Sequence, residues 1–225
     1  MSVLRGSKAP NLPIAPTQYE QRYGEQLNNV QRLYYNQLDN ITQALLGPGG
    51  GSYISFPHIS ASDTTSQYAA GNNTPTPVEW NTLESGLGFT LNIDGSATAA
   101  YSGIFKIDYS LQFANTANVA HDAFVWLEVT NGVTTQVTNS TSSFTIPARK
   151  SAGVPSYLLA YSCVTFEVKV GDSFKLWWAT DLAYNTVGPV DGVYMPALPA
   201  QTVPYARPLT PSAIGAITFV CGTAT

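Results

Sequence analysis

The chain has 225 residues, of which only 11% are charged, and it carries a net charge of −4 with no basic stripe. That length holds one good core and a small appendage, and the charge argues against nucleic acid as a partner of the folded domain. No apolar run reaches about 18 residues, so no membrane insertion is expected, and so few charges weaken the usual defence against self-association, which points to an obligate assembly.

Residues 1–16 carry prolines at 10, 13 and 16 with Leu12 and Ile14 between them. Proline at every third position favours an extended arm that cannot fold alone. Leu12, Pro13, Ile14 and Pro16 are therefore candidate docking residues for a groove in a larger structure, with Arg5 and Lys8 suited to an acidic groove. No apolar core like that of a signal peptide appears in this segment.

Residues 17–46 are expected to form one helix. Thr17 and Glu20 have the spacing of a capping box, and Gly47 and Pro48 supply a stop. Leu27, Tyr34 and Ile41 recur as one heptad position, and Tyr23, Val30, Gln37 and Ala44 recur as the other. Leu33, Leu38 and Leu45 widen the stripe, which suits three or more strands, or packing on a neighbour, better than a two-stranded coil. Tyr23, Leu27, Val30, Tyr34, Gln37 and Ile41 are thus candidate self-association residues, with Gln37 as a polar layer that fixes register. Residues 47–51 read as a Gly/Pro linker, and 52–225 as a separate head domain.

The head reads as mainly β, with about 8–10 antiparallel strands in a sandwich. Residues 101–113 alternate: Phe105, Ile107, Tyr109, Leu111 and Phe113 face one way, Lys106, Asp108, Ser110 and Gln112 the other. Strands are also expected at 53–60, 89–93, 123–130, 133–138, 143–146, 164–170, 174–179 and 214–221. Asn131 with Gly132, and Gly171 with Asp172, read as tight hairpin turns. Residues 183–213 hold six prolines and no period, and read as a long loop. The last strand is apolar on both faces, which suits one face on the core and one on a second subunit. Ile217 and Phe219 are taken as its interface row.

Candidate chemistry is sparse. No nucleophile elbow, phosphate loop or metal-binding motif is present, so no enzyme activity, catalytic residue, metal or cofactor is expected. His121 could be oriented by Asp122 but implies no nucleophile. Asp181 and Asp191 flank the long loop and could ligate calcium. Cys163 and Cys221 read as buried thiols. Trp177 and Trp178 are adjacent on a strand and face opposite sides. Trp178, Trp126, Tyr184 and Tyr194 are candidate ligand contacts, because exposed indole and phenol rings suit sugar stacking or protein hot spots.

Residues 101–110, the segment from Val164 to Trp178 with Lys169, Gly171 and Asp172, and the closing stretch from Ile217 to Gly222 resemble three strands of complement-type and tumour-necrosis-factor-like jelly rolls, over roughly residues 53–225. The resemblance implies a ten-stranded jelly roll that forms a homotrimer about its last strand. No collagen-like repeat precedes the head, and the heptads would take that role. Residues 11–19 and 34–40 resemble the leader of small structural proteins of tailed, especially marine, bacteriophages. This second resemblance implies a virion protein, made in the bacterial cytoplasm and released by lysis. It would dock on other virion proteins of head or tail and display the jelly roll as a fibre or knob. Its further partner would be a host surface polysaccharide or protein. A capsid decoration protein without a receptor role, and a carbohydrate-binding module outside any virus, are the alternatives.

Overall fold

The amides of Tyr23 and Gly24 both reach the carbonyl of Glu20, at 3.1 and 3.4 Å, and close the first turn of the one helix among the described residues, α1 (Gln21–Leu46). The helix therefore starts after Glu20, not at Thr17. A residue whose own carbonyl opens the helix stands at the cap and cannot supply the third helical position of a capping box. The structure is a computed structural model and describes residues 10–14, 17, 18, 20–46, 56–137, 139–187 and 191–222. Arg5, Lys8, Pro16 and the linker 47–51 lie outside the described residues. The chain divides into two compact units, Met1–Ser55 and Phe56–Thr225.

The second unit contains fourteen strands among the described residues: β1 (His58–Asp63), β2 (Gln67–Tyr68), β3 (Thr76–Pro77), β4 (Thr82–Leu87), β5 (Phe89–Leu91), β6 (Ala97–Ala99), β7 (Gly103–Asn115), β8 (His121–Thr130), β9 (Thr134–Gln136), β10 (Ser142–Ile146), β11 (Ser156–Val168), β12 (Ser173–Thr180), β13 (Val193–Met195) and β14 (Ala213–Cys221). They form two antiparallel sheets. Sheet I runs β2-β13-β7-β14-β1-β4 with β11 along the other edge of β7; sheet II runs β10-β8-β12-β6-β5 with β3 on β12 and β9 on β8. From β6 onward the longer strands pass from sheet to sheet, with β8 and β10 the one neighbouring pair in a single sheet. That path over two packed sheets is a jelly roll.

The period of two along β7 makes the core. Phe105, Ile107, Tyr109, Leu111 and Phe113 are all buried on one face. Tyr109, Leu111 and Phe113 meet Val125, Ile146, Leu176 and Trp178. Phe105 and Ile107 meet Leu127, Phe166, Phe174 and Ile217. Each fully buried large side chain contributes about 1.5–3 kcal/mol of transfer free energy. Beside this core Asp63, only 1% exposed, accepts hydrogen bonds from Thr65, Gln67 and Asn81, so its buried charge is satisfied as β1 turns toward β2.

Two expectations need correction. Gly171 and Asp172 do not close a hairpin, because β11 pairs with β7 in sheet I while β12 pairs with β8 in sheet II. The turn there is an arch between sheets, with Lys169 N–H bonded to the Asp172 carboxylate at 2.8 Å. The segment 183–213 is also not patternless: it contains β13, and Leu198 pairs with Thr210 and Gln201 with Arg207. No helix among the described residues is long and apolar enough to cross a membrane.

Candidate functional site

Two strands of sheet I carry exposed apolar side chains outward, on either side of the polar outer row of β7 (Lys106, Asp108, Ser110 and Gln112). On β11, Tyr157, Leu159 and Tyr161 are 46%, 59% and 61% exposed, while Ala160 between them is buried. Tyr161 lies beside Ser110 of β7, and Ser110 beside Ile214 of β14, which together with Val220 is also exposed. On this face Lys106 pairs with Asp108 at 2.7 Å, and the Tyr161 hydroxyl donates to Asp108 at 3.0 Å. Those bonds raise the pKa values of Lys106 and Tyr161 above their ordinary ranges. A tyrosine row continues the face. Tyr157 and Tyr194 flank buried Ala114, Tyr194 sits beside Tyr68, and the rings of Tyr184 and Tyr194 are 5.0 Å apart. Burial, then neighbouring tyrosines, push the Tyr194 phenol pKa up.

The outward face of sheet II differs in kind. Trp126 of β8 stands opposite Trp177 of β12, and Pro77 of β3 stands on the far side of Trp177. One row along, Glu128 stands opposite Lys175. The Lys175 ammonium bonds Asp94 at 2.8 Å and lies 5.6 Å from the centre of the Trp177 ring. The hydrogen bond from Lys175, then those from the Ser96 hydroxyl and amide, hold the Asp94 carboxyl far below the usual carboxylate range. Asp94, Ser96, Glu128, Thr130, Ser173 and Lys175 line a polar pocket of about 280 Å³ beside the indoles.

Several sequence-based site residues fall elsewhere. Trp178 is fully buried, its ring 5.6 Å from that of Phe113, so it cannot contact a ligand; Trp177 is the outward indole of the pair. Ile217 is 6% exposed inside the core, and Phe219 packs on Phe105 at 5.5 Å. Both face inward, and the outward apolar residues of β14 are Ile214 and Val220. Cys163 and Cys221 are exposed free thiols rather than buried ones. His121 Nδ1 pairs with Asp181 at 3.0 Å, not with Asp122, and Asp191 pairs with Arg149 at 2.6 Å. Both candidate calcium ligands thus already bond a neighbouring side chain, and the described residues contain no group of three or more side chains able to hold a metal. Trp126, Tyr184 and Tyr194 do lie at or near the surface, half-buried.

In the first unit, Tyr23, Leu27, Val30, Tyr34, Leu38 and Ile41 form a half-buried line along α1, and no described helix side chain is fully buried. Gln37 is exposed, and Leu38 takes its place in that line. Of the arm, Leu12 and Ile14 are 55% and 94% exposed, and Pro13 is half-buried.

No protein-family model matches the sequence, and no curated protein matches it. Solved structures similar in fold include Eiger TNF from S. frugiperda, at 12% identity and a TM-score of 0.47, covering 76% of this chain and 97% of that one. Another is the globular domain of zebrafish complement 1qA protein, at 14% identity and a TM-score of 0.43, covering 75% of this chain and all of that one.

Proposed function

We propose that the chain is a non-enzymatic structural protein of a bacteriophage particle. It assembles as a homotrimer, docks through its N-terminal arm, and displays the jelly-roll head for attachment to a host surface. The observation that carries the self-assembly is the outer face of sheet I, where Tyr157, Leu159, Tyr161, Ile214 and Val220 are all between 46% and 61% exposed. Apolar side chains this exposed on two strands of one sheet face are a surface that a partner covers, and a second copy is always present at equal concentration. The half-buried line of α1 points the same way, since a helix stabilised mainly by packing must bury its stripe. The particle assignment is supported by the likeness of residues 11–19 and 34–40 to phage leaders, and by the exposed Leu12 and Ile14 of the arm.

Attachment is tested by mixing full-length protein with cells of a bacterial panel and separating cells from supernatant. An attachment head is retained on cells of at least one strain. A decoration protein stays in the supernatant with all of them.

A further inference from the structure

The two outer faces of the sandwich point in opposite directions and differ in chemistry. Sheet I offers tyrosine, leucine, isoleucine and valine side chains around the Lys106–Asp108 pair, while sheet II offers two indoles bordered by carboxylates, hydroxyls and an ammonium group. If the head self-associates through sheet I, sheet II is left facing solvent. We propose that sheet II binds an uncharged saccharide, with a sugar ring lying on the Trp126–Trp177 pair and its hydroxyls held in the adjoining pocket by Asp94, Glu128 and Lys175. This inference rests on the reading of the head as an attachment domain and names the class of ligand it takes.

Three observations select a sugar. The first is the central aromatic pair, two half-buried indoles on neighbouring strands, the kind of apolar side chain that the C–H face of a pyranose packs against. The second is the row beside it. Glu128 and Lys175 stand two residues along their strands from Trp126 and Trp177, about 7 Å away. A group bound on the indoles therefore reaches the pocket without a linker. The third is the mixture of partners. Carboxylates only accept, ammonium only donates, and the hydroxyls of Ser96 and Ser173 do both. Sugar hydroxyls, which donate and accept, match that set.

Charge selects the uncharged class. The pocket holds two carboxylates and one ammonium, and Lys175 is already engaged by Asp94. A uronate or sulfated sugar would meet the Glu128 carboxylate with no free cation among the named pocket residues to compensate it.

The test is titration calorimetry of the full-length protein with neutral gluco-, galacto- and manno-oligosaccharides, beside uronate- and sulfate-bearing ones. Saturable binding of a neutral series is expected, weakened roughly tenfold or more by Trp177→Ala. Glu128→Gln, which keeps the shape of the pocket, is expected to weaken it as well. No binding, binding untouched by either substitution, or tighter binding of the acidic series overturns the proposal. Cell retention of the same samples separates this site from the attachment reading. Retention without sugar binding removes the site and leaves attachment standing. Sugar binding without retention keeps the site and removes attachment.

Discussion

Trp126 and Trp177 stand opposite each other on neighbouring strands at the outside of sheet II, while Trp178, one residue further along β12, is fully buried. Adjacent indoles thus do two different jobs, and their truncation should separate them. Trp178→Ala leaves a large cavity and is expected to cost about 3–5 kcal/mol. Trp177→Ala removes a half-buried side chain and is expected to cost no more than about 1–2 kcal/mol. Urea denaturation of the two variants checks the difference. Equal losses would contradict the assignment of faces.

The two faces of β14 give a second contrast. Ile217→Asp places an unpaired charge in the core and should unfold the head, because nothing there can neutralise it. Ile214→Asp places the charge on the outer face, where Ile214 is 46% exposed. The head should then keep its fold but lose self-association. Circular dichroism with sedimentation velocity reads both outcomes, and a folded Ile217→Asp protein would refute the inward placement.

Asp94 gives a pH dependence of known sign. Its folded pKa is depressed, first by the hydrogen bond from Lys175 and then by Ser96. The stability it contributes is therefore present above its unfolded value, about 4, and is lost as pH falls below that value. The side chain is 57% exposed, so solvent screening reduces the effect to roughly 0.5 kcal/mol. Asp94→Asn should show a smaller loss of stability than the parent on acidification from about pH 7 to about pH 3. The same loss in both proteins would show that the pair contributes nothing.

Gly24 lies within α1, and beyond the helix's own backbone and its chain neighbours nothing comes within 4 Å of the position a Cβ would occupy. Gly24→Ala should stabilise the helix by about 1 kcal/mol, raising the thermal midpoint of its far-ultraviolet signal. A lowered midpoint would mean that assembly needs the glycine for close packing.

How far the sequence discloses the fold varies from strand to strand. β7 is legible because its inward residues are large and apolar and its outward ones polar. The first half of β11 is not, because it is inverted: Tyr157, Leu159 and Tyr161 point out, while Ala160 and Ser162 point in. A reading that assumes polar-out alternation passes over such a strand. β14 is ambiguous for another reason: its two rows are both apolar, so burial alone distinguishes them. Trp178 could have been placed correctly, since Phe174, Leu176 and Trp178 share one period-two row. The turn at Gly171 and Asp172 was visible, but local turn chemistry does not say whether the chain stays in one sheet or crosses to the other. Glu128, Lys175 and Asp94 carry no mutual signal in the sequence. The pairing of β8 with β12 and the Lys175–Asp94 ion pair bring them together.

The central claim is self-assembly through the outer face of sheet I, and the native mass of the full-length protein tests it most directly. Sedimentation equilibrium is expected to give about 72 kDa, three times the 24.1 kDa of one chain. Ile214→Asp is expected to lower that mass while the head stays folded. A full-length protein that sediments as a folded monomer of 24.1 kDa would contradict the account.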